Sequence, residues 1–326
     1  MKSPSAPTTS LSLALEGLGV AMAGRSANDN RSTASVSTLR PAPEDDAQPD
    51  FFVPGLYDVS VKDTFSIMDV AVFRLSKSQT RKGEIIRHVR DDHVLEIASD
   101  ARGMATIYDY DIVLFMISHL ADQTRLWREG RGPKPGRSFR PHSAEIFKFC
   151  RMEVGGDSYA RLEQALDRLK GTTLKFIRKD QARNRSKAIG LIGGYDIISY
   201  TAKDRIGTIE IDIPEWIYDA VTTHQKPEVL TVHRDYFLIE KGLGRFIYRL
   251  ARKAAGIGEA TYSVQAIHQR TGSTRELRKF AFDLRQLVAA NDLPEYDLAL
   301  IEGKDDTLLR MARRGALAAQ PTAAVA

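Results

Sequence analysis

The sequence predicts an α+β protein of two tandem winged-helix (helix-turn-helix) domains, with a small N-terminal β extension and disordered tails. Three observations predict it. An order of long helix, short helix, turn, helix and strands occurs twice; the apolar spacing switches between periods near 3.6 and 2; and cationic residues gather on the last helix of each set. At 326 residues the chain suits two compact domains plus tails. Its 43% hydrophobic and 27% charged residues are the balance of an ordinary globular protein, neither fibrous nor wholly disordered.

Residues 1–50 are rich in Ser, Ala, Thr and Pro, contain no aromatic residue and end in PEDDAQPD. Such a stretch buries too little apolar area to offset chain entropy, so a disordered tail is expected. Within it, LSLALEGLGVAMAG at 11–24 has the outline of an export signal, but Glu16 breaks the apolar run and only Lys2 precedes it with positive charge. The single cysteine, Cys150, excludes an intrachain disulfide framework and fits a reducing, cytoplasmic setting. No run of about 18 apolar residues is present, so no membrane-spanning helix is expected.

The first domain is expected over 51–220. Its β extension contains short β-type segments at 70–75, 84–89 and 93–98. From 106 the period becomes helical, with Ile107, Tyr110, Leu114, Ile117 and Ala121 on one face and Thr106 and Asp109 as a start signal. A breaker-rich loop, GRGPKPGR, follows at 130–137, and Pro141, His142 and Ser143 open a short helix through Met152. Gly155 and Gly156 turn the chain into a third helix, from Asp157 or Ser158 to Gly171, whose apolar stripe is Tyr159, Leu162, Leu166 and Leu169. Strands are expected at 173–177, 195–200 and 206–213.

The second domain is expected over 221–314, with a disordered tail at 315–326. Leu243, Phe246, Ile247, Leu250 and Ala254 mark a long helix ending at Gly256. A short helix is expected at 262–269, then a tight turn at Thr271 and Gly272. Ser273 and Glu276 have the spacing of a capping box opening a third helix over 274–289, which buries Leu277, Phe280, Ala281, Leu284, Leu287 and Val288. Segments 296–301 and 307–311, joined by EGKDD, are expected to form a hairpin.

The second helix of a helix-turn-helix lies in the major groove, so its core-opposite face must donate to phosphates and base edges. In the second domain that face is Arg275, Arg278, Lys279, Phe282, Arg285 and Gln286, with Phe282 an exposed aromatic suited to a thymine methyl. The preceding long helix adds Arg245, Arg249, Arg252 and Lys253 opposite its apolar side. Residues 241–290 hold ten Lys or Arg against three Asp or Glu, a surplus larger than the net +5 of the whole chain. The charge is therefore concentrated where DNA would sit; the bland alternative is a solvated basic face.

In the first domain Arg161, Gln164 and Arg168 share a stripe that Glu163 and Asp167 dilute. Its hairpin compensates, because Arg178, Lys179, Arg183, Arg185 and Lys187 oppose only Asp180 across 178–187. Such a tip suits phosphate or minor-groove contact; the alternative is a flexible charged loop.

Catalytic readings fare badly. HVRDDH at 88–93 matches no zinc or EF-hand spacing and is expected as a surface turn. His119 and His268 fall in expected helices without evident partners, and GLIGGY at 190–195 lacks the Lys and Ser or Thr of a phosphate loop. Cys150, beside Phe147 and Phe149, is expected in the core. No catalytic residue, metal or cofactor is expected.

Taken in order, DFFVPGLYDVSVKD, GMATIYDYDIVLFMISHL, RLEQALDRLKGTT and GLGRFIYRLARKAAG resemble the replication initiator protein A family of bacterial plasmids across most of residues 50–314. The resemblance implies binding of repeated double-stranded DNA sites at a plasmid origin, opening of the adjacent duplex and recruitment of host helicase-loading proteins. It also implies that monomers bind the origin repeats, while a homodimer formed through the first domain represses the protein's own promoter. The acidic tip at Glu302, Asp305 and Asp306 departs from what a DNA-contacting second hairpin would carry. A transcriptional regulator using the same fold on an operator is the alternative reading; no membrane partner is implied.

Overall fold

A computed structural model describes residues 37–43, 51–54, 71–78, 81–89, 93–178, 185–203, 205–223, 229–304 and 306–315. In chain order the first elements are β1 (Phe51–Pro54), β2 (Ile85–Val89), β3 (His93–Ser99), α1 (Tyr110–Arg128), β4 (Ser138–Phe139), α2 (Ser143–Phe149) and α3 (Ser158–Gly171). There follow β5 (Thr172–Arg178), β6 (Arg185–Gly190), β7 (Tyr195–Ile197), β8 (Ile209–Asp212), α4 (Glu215–Thr222) and β9 (Val229–Val232). A 3-10 turn at Arg234–Leu238 leads to α5 (Gly242–Ala254), β10 (Glu259–Ser263), α6 (Val264–Arg270), α7 (Leu277–Ala290), β11 (Tyr296–Glu302) and β12 (Thr307–Arg313).

All pairing between the described strands is antiparallel. One sheet runs β2-β3-β5-β6, a second β4-β8-β7 and a third β10-β12-β11, while β1 pairs with β9. In the first sheet Leu95, Ile97 and Leu174 are fully buried, with register Leu95↔Phe176 and Ile97↔Leu174. The strands expected in the first set therefore divide between two sheets. The segment at 173–177 pairs inside the four-stranded sheet, whereas 206–213 supplies β8 of a separate one.

The apolar faces read from the sequence pack inward except at the start of α7, where Leu277, expected to be buried, is 41% exposed because it lies in the first turn, beyond the anchors Phe280, Leu284 and Leu287. Tyr110, Leu114 and Ile117 of α1, Leu162, Leu166 and Leu169 of α3, and Phe280, Leu284 and Leu287 of α7 are all buried. Cys150 is buried too, and burial pushes its thiol well above the ordinary value. One core cluster continues through both sets of elements, from Ala71 to Met311.

Five further expectations need correction. Residues 37–43 are not tail: Thr38 is buried, its N–H and hydroxyl donate to Asp292, and Leu39 bridges to Ile239. Residues 70–75 make no strand over the described 71–75; Ala71, Val72 and Phe73 are all buried, so this strap lacks the alternation of a half-buried strand and only Arg74 bridges, to Thr106. Residues 262–269 are not all helix, because Tyr262 and Ser263 end β10 and the Ser263 hydroxyl caps α6 by accepting from the Ala266 N–H at 3.1 Å. Ser273 and Glu276 form no capping box: Ser273 Oγ takes the Arg275 N–H at 3.2 Å, and α7 begins only at Leu277. A capping box forms instead at α2, where His142 Nδ1 accepts from the Ala144 N–H and the Glu145 carboxylate accepts from the His142 N–H. Lastly, α5 carries no outward stripe at Arg245 and Arg249, as its buried residues run from Gly244 to Ala251 without a break.

Candidate nucleic-acid interface

α7 is amphipathic in the way its sequence spacing requires. While Phe280, Leu284 and Leu287 anchor it, the opposite side places Arg275, Arg278, Lys279, Phe282 and Arg285 around one shallow concavity of about 370 Å³. Phe282 is 53% exposed, an aromatic ring ringed by four cations. Gln286 is exposed on the same helix. Two of the cations are partly engaged: Arg275 pairs with Asp283, and Lys279 lies 3.4 Å from Glu276. Arg278 and Arg285 make no ion pair among the described residues. They also border a second concavity of about 260 Å³, whose apolar wall is Val264, Leu277, Ala281 and Leu300.

The acidic tip of the last hairpin is partly accounted for. Asp306 Oδ2 accepts from the Gln265 N–H at 3.1 Å, so its charge faces the positive end of α6. Asp305 lies outside the described residues.

On α3, Arg161 and Gln164 are exposed, Arg161 lying 3.7 Å from Asp157. Arg168, expected beside them, points inward. Its Nε and Nη2 both donate to Asp109 at 2.8 Å, and this paired hydrogen bonding raises its pKa despite burial. The reason is local: Asp109 also accepts from the Thr106 N–H at the start of α1, and a buried carboxylate requires a cation. Arg178 and Lys187 are exposed on the β5–β6 hairpin. Lys179 and Arg183 lie outside the described residues, as does the side chain of Arg185, whose backbone pairs with Arg178.

Arg249 leaves the interface. It is 2% exposed, its guanidinium 4.7 Å from the Tyr110 ring centre and 5.2 Å from that of Phe73. Arg245 is likewise buried, donating to Asp111 at 2.5 Å and to the carbonyls of Ile239 and Phe237 at 2.8 Å. Burial pushes the Asp111 carboxyl up to about 6, a shift that the Arg245 charge opposes, and the same carboxylate keeps Arg245 above its ordinary value against burial. Both arginines therefore join the two sets of elements internally. A signal for this exists in the sequence: the carboxylates Asp109 and Asp111 flank Tyr110 at the buried start of α1 and need partners from elsewhere.

The remaining polar candidates are structural. The His119 ring packs at a tilt against Phe139 with ring centres 5.1 Å apart, and burial lowers its pKa. His268 has a partner after all, its Nε2 lying 2.7 Å from the Arg275 carbonyl. Among the described residues no cluster of His, Cys, Asp and Glu is arranged to hold a metal, and no helix is long and apolar enough to cross a membrane.

Comparison with known proteins identifies the family. The sequence profile described as "Replication initiator protein A" matches residues 62–298, which contain α3, the β5–β6 hairpin and α7. The chain belongs to the replication initiator protein A family. A relative from Wigglesworthia glossinidia brevipalpis, named "Putative replication protein", is 32% identical over 242 residues, covering 73% of this chain and 84% of its own length. Among solved structures, domains 2 and 3 of RctB align with a TM-score of 0.52 at 14% identity, over 76% of this chain and 97% of theirs. That likeness is one of fold, a mixed α/β arrangement shared by this family member and RctB.

Proposed function

We propose that this replication initiator family member is a sequence-specific, double-stranded DNA-binding protein. It binds repeated sites at a plasmid origin through two winged-helix units, helps open the adjacent duplex and recruits host helicase-loading proteins. The observation that carries the reading is the outward face of α7, where Arg278 and Arg285 stand without ion-pair partners among the described residues, beside exposed Phe282. Guanidinium groups so placed suit bidentate contact with guanine or with phosphate, and the ring suits a thymine methyl. The order α5, β10, α6, α7, β11, β12, with β12 central in its sheet, supports a winged-helix unit whose second helix of the motif is α7. Support from the first set is thinner: Arg161 and Gln164 on α3, with Arg178 and Lys187 on the hairpin beside them.

Footprinting the purified protein on its own replicon tests the proposal. Protection of spaced direct repeats is expected, together with loss of autonomous plasmid replication when the gene is deleted. Equal protection of random sequence would overturn site-specific binding. Repeat-specific binding with replication intact would reduce the protein to a regulator at an operator.

A further inference from the structure

The turn that leads into α7 is not held by its own neighbours alone. Arg81, far upstream in sequence, donates from Nη2 to the Gly272 carbonyl at 2.6 Å. The Ala71 N–H donates to the Arg270 carbonyl at 2.8 Å. Gly272 itself has φ +57°, and a Cβ there would come within 3.1 Å of Ile86 Cγ2 and 3.9 Å of His88 Cε1, so β2 is seated directly against the turn. Thr271 beside it is buried.

The segments that grip the turn are in turn fixed to the first set of elements. Arg74 donates from Nε to the Met104 carbonyl at 2.8 Å, and its backbone exchanges hydrogen bonds with Ala105 and Ile107. Ser99 Oγ of β3 donates to the Arg81 carbonyl at 2.5 Å. Arg81 is 9% exposed with a left-handed backbone, φ 48°, which a non-glycine residue adopts only when its surroundings hold it there. Its carboxylate neighbour, Glu84, is 3.8 Å away and half exposed, leaving the Gly272 carbonyl as the directed contact of the guanidinium.

We propose that Arg81 is a positioning residue for α7: by holding the Gly272 carbonyl it sets the angle at which the α7 face meets DNA, although it lies outside that face. The proposal rests on the DNA-binding function above. Base-edge contacts tolerate displacements of only about 0.5 Å or 10–20°, whereas phosphate attraction tolerates more. Loosening the turn therefore erodes discrimination between sequences before it erodes binding.

The test uses the full chain and two duplexes, one carrying the origin repeats and one of random sequence. Arg81→Ala is expected to lower the ratio of the two affinities about tenfold, the scale of one charged hydrogen bond, while random-duplex affinity and salt slope stay at wild-type values. Arg81→Lys, which keeps a cationic donor, is expected to restore most of the ratio. In an Arg278→Ala background, Arg81→Ala is expected to cost less than it does alone, because both act through the same base contact. If the wild-type protein fails to discriminate the two duplexes, the DNA-binding function itself falls. If it discriminates and Arg81→Ala discriminates equally, the positioning role falls. A uniform loss on both duplexes with a lowered Tm, shared by Arg81→Lys, would make Arg81 a stability contact only and also overturn the proposal.

Discussion

Two side chains in α7 separate folding from recognition. Leu284 is fully buried, so Leu284→Ala is expected to cost about 2–5 kcal/mol in urea unfolding. Phe282, at 53% exposure, packs little, and Phe282→Ala is expected to change stability by no more than about 0.5 kcal/mol while weakening binding to the repeats. A large stability loss from Phe282→Ala would contradict its outward placement. Asp111 makes a second residue-level prediction, one of sign. Because burial holds its folded pKa near 6, above the ordinary 3.8, the folded protein binds this proton more tightly than the unfolded chain does. Its contribution to stability is full below 3.8 and is lost as pH rises towards 6. Across that window the wild type is expected to lose stability relative to Asp111→Asn, and the opposite slope in paired urea titrations would refute it.

At the scale of elements, the proposed surface divides into a helix that reads and a hairpin that holds. Arg278→Ala is expected to cost about 1–3 kcal/mol on the repeats and to relax base preference at one position, as for loss of a bidentate guanine contact. Lys187→Ala is expected to weaken all sequences alike and to reduce the salt slope by about one. Equal effects from the two substitutions, measured by titration on repeat and random duplexes, would remove that division. The buried faces of α1, α3 and α7 were legible because their leucines and aromatics repeat at helical spacing. Element boundaries were less so. Tyr262 fits a helical stripe, yet its backbone pairs with Leu309 of β12, far along the chain. The Ser273 and Glu276 spacing signalled a cap that geometry assigns elsewhere, since the turn is gripped from outside by Arg81 and Ala71.

For the whole molecule, the proposed function implies strong dependence on ionic strength. If about six to ten phosphates are neutralised, affinity is expected to fall roughly 10³- to 10⁵-fold between 50 and 200 mM salt. A flat response in the same titrations would exclude a phosphate-based interface. By itself the sequence determined the class of protein, the inward faces of its helices and the outward cations of α7, because periodicity and composition are local properties that any packing must respect. Only tertiary structure decided which cations remain outside. Arg168, Arg245 and Arg249 share the chemistry of Arg278 and Arg285, but the first two neutralise Asp109 and Asp111, and Arg249 stacks on Tyr110. A charge is drawn inside when a buried carboxylate or an aromatic face from a distant segment meets it there, and no spacing along one helix records that meeting.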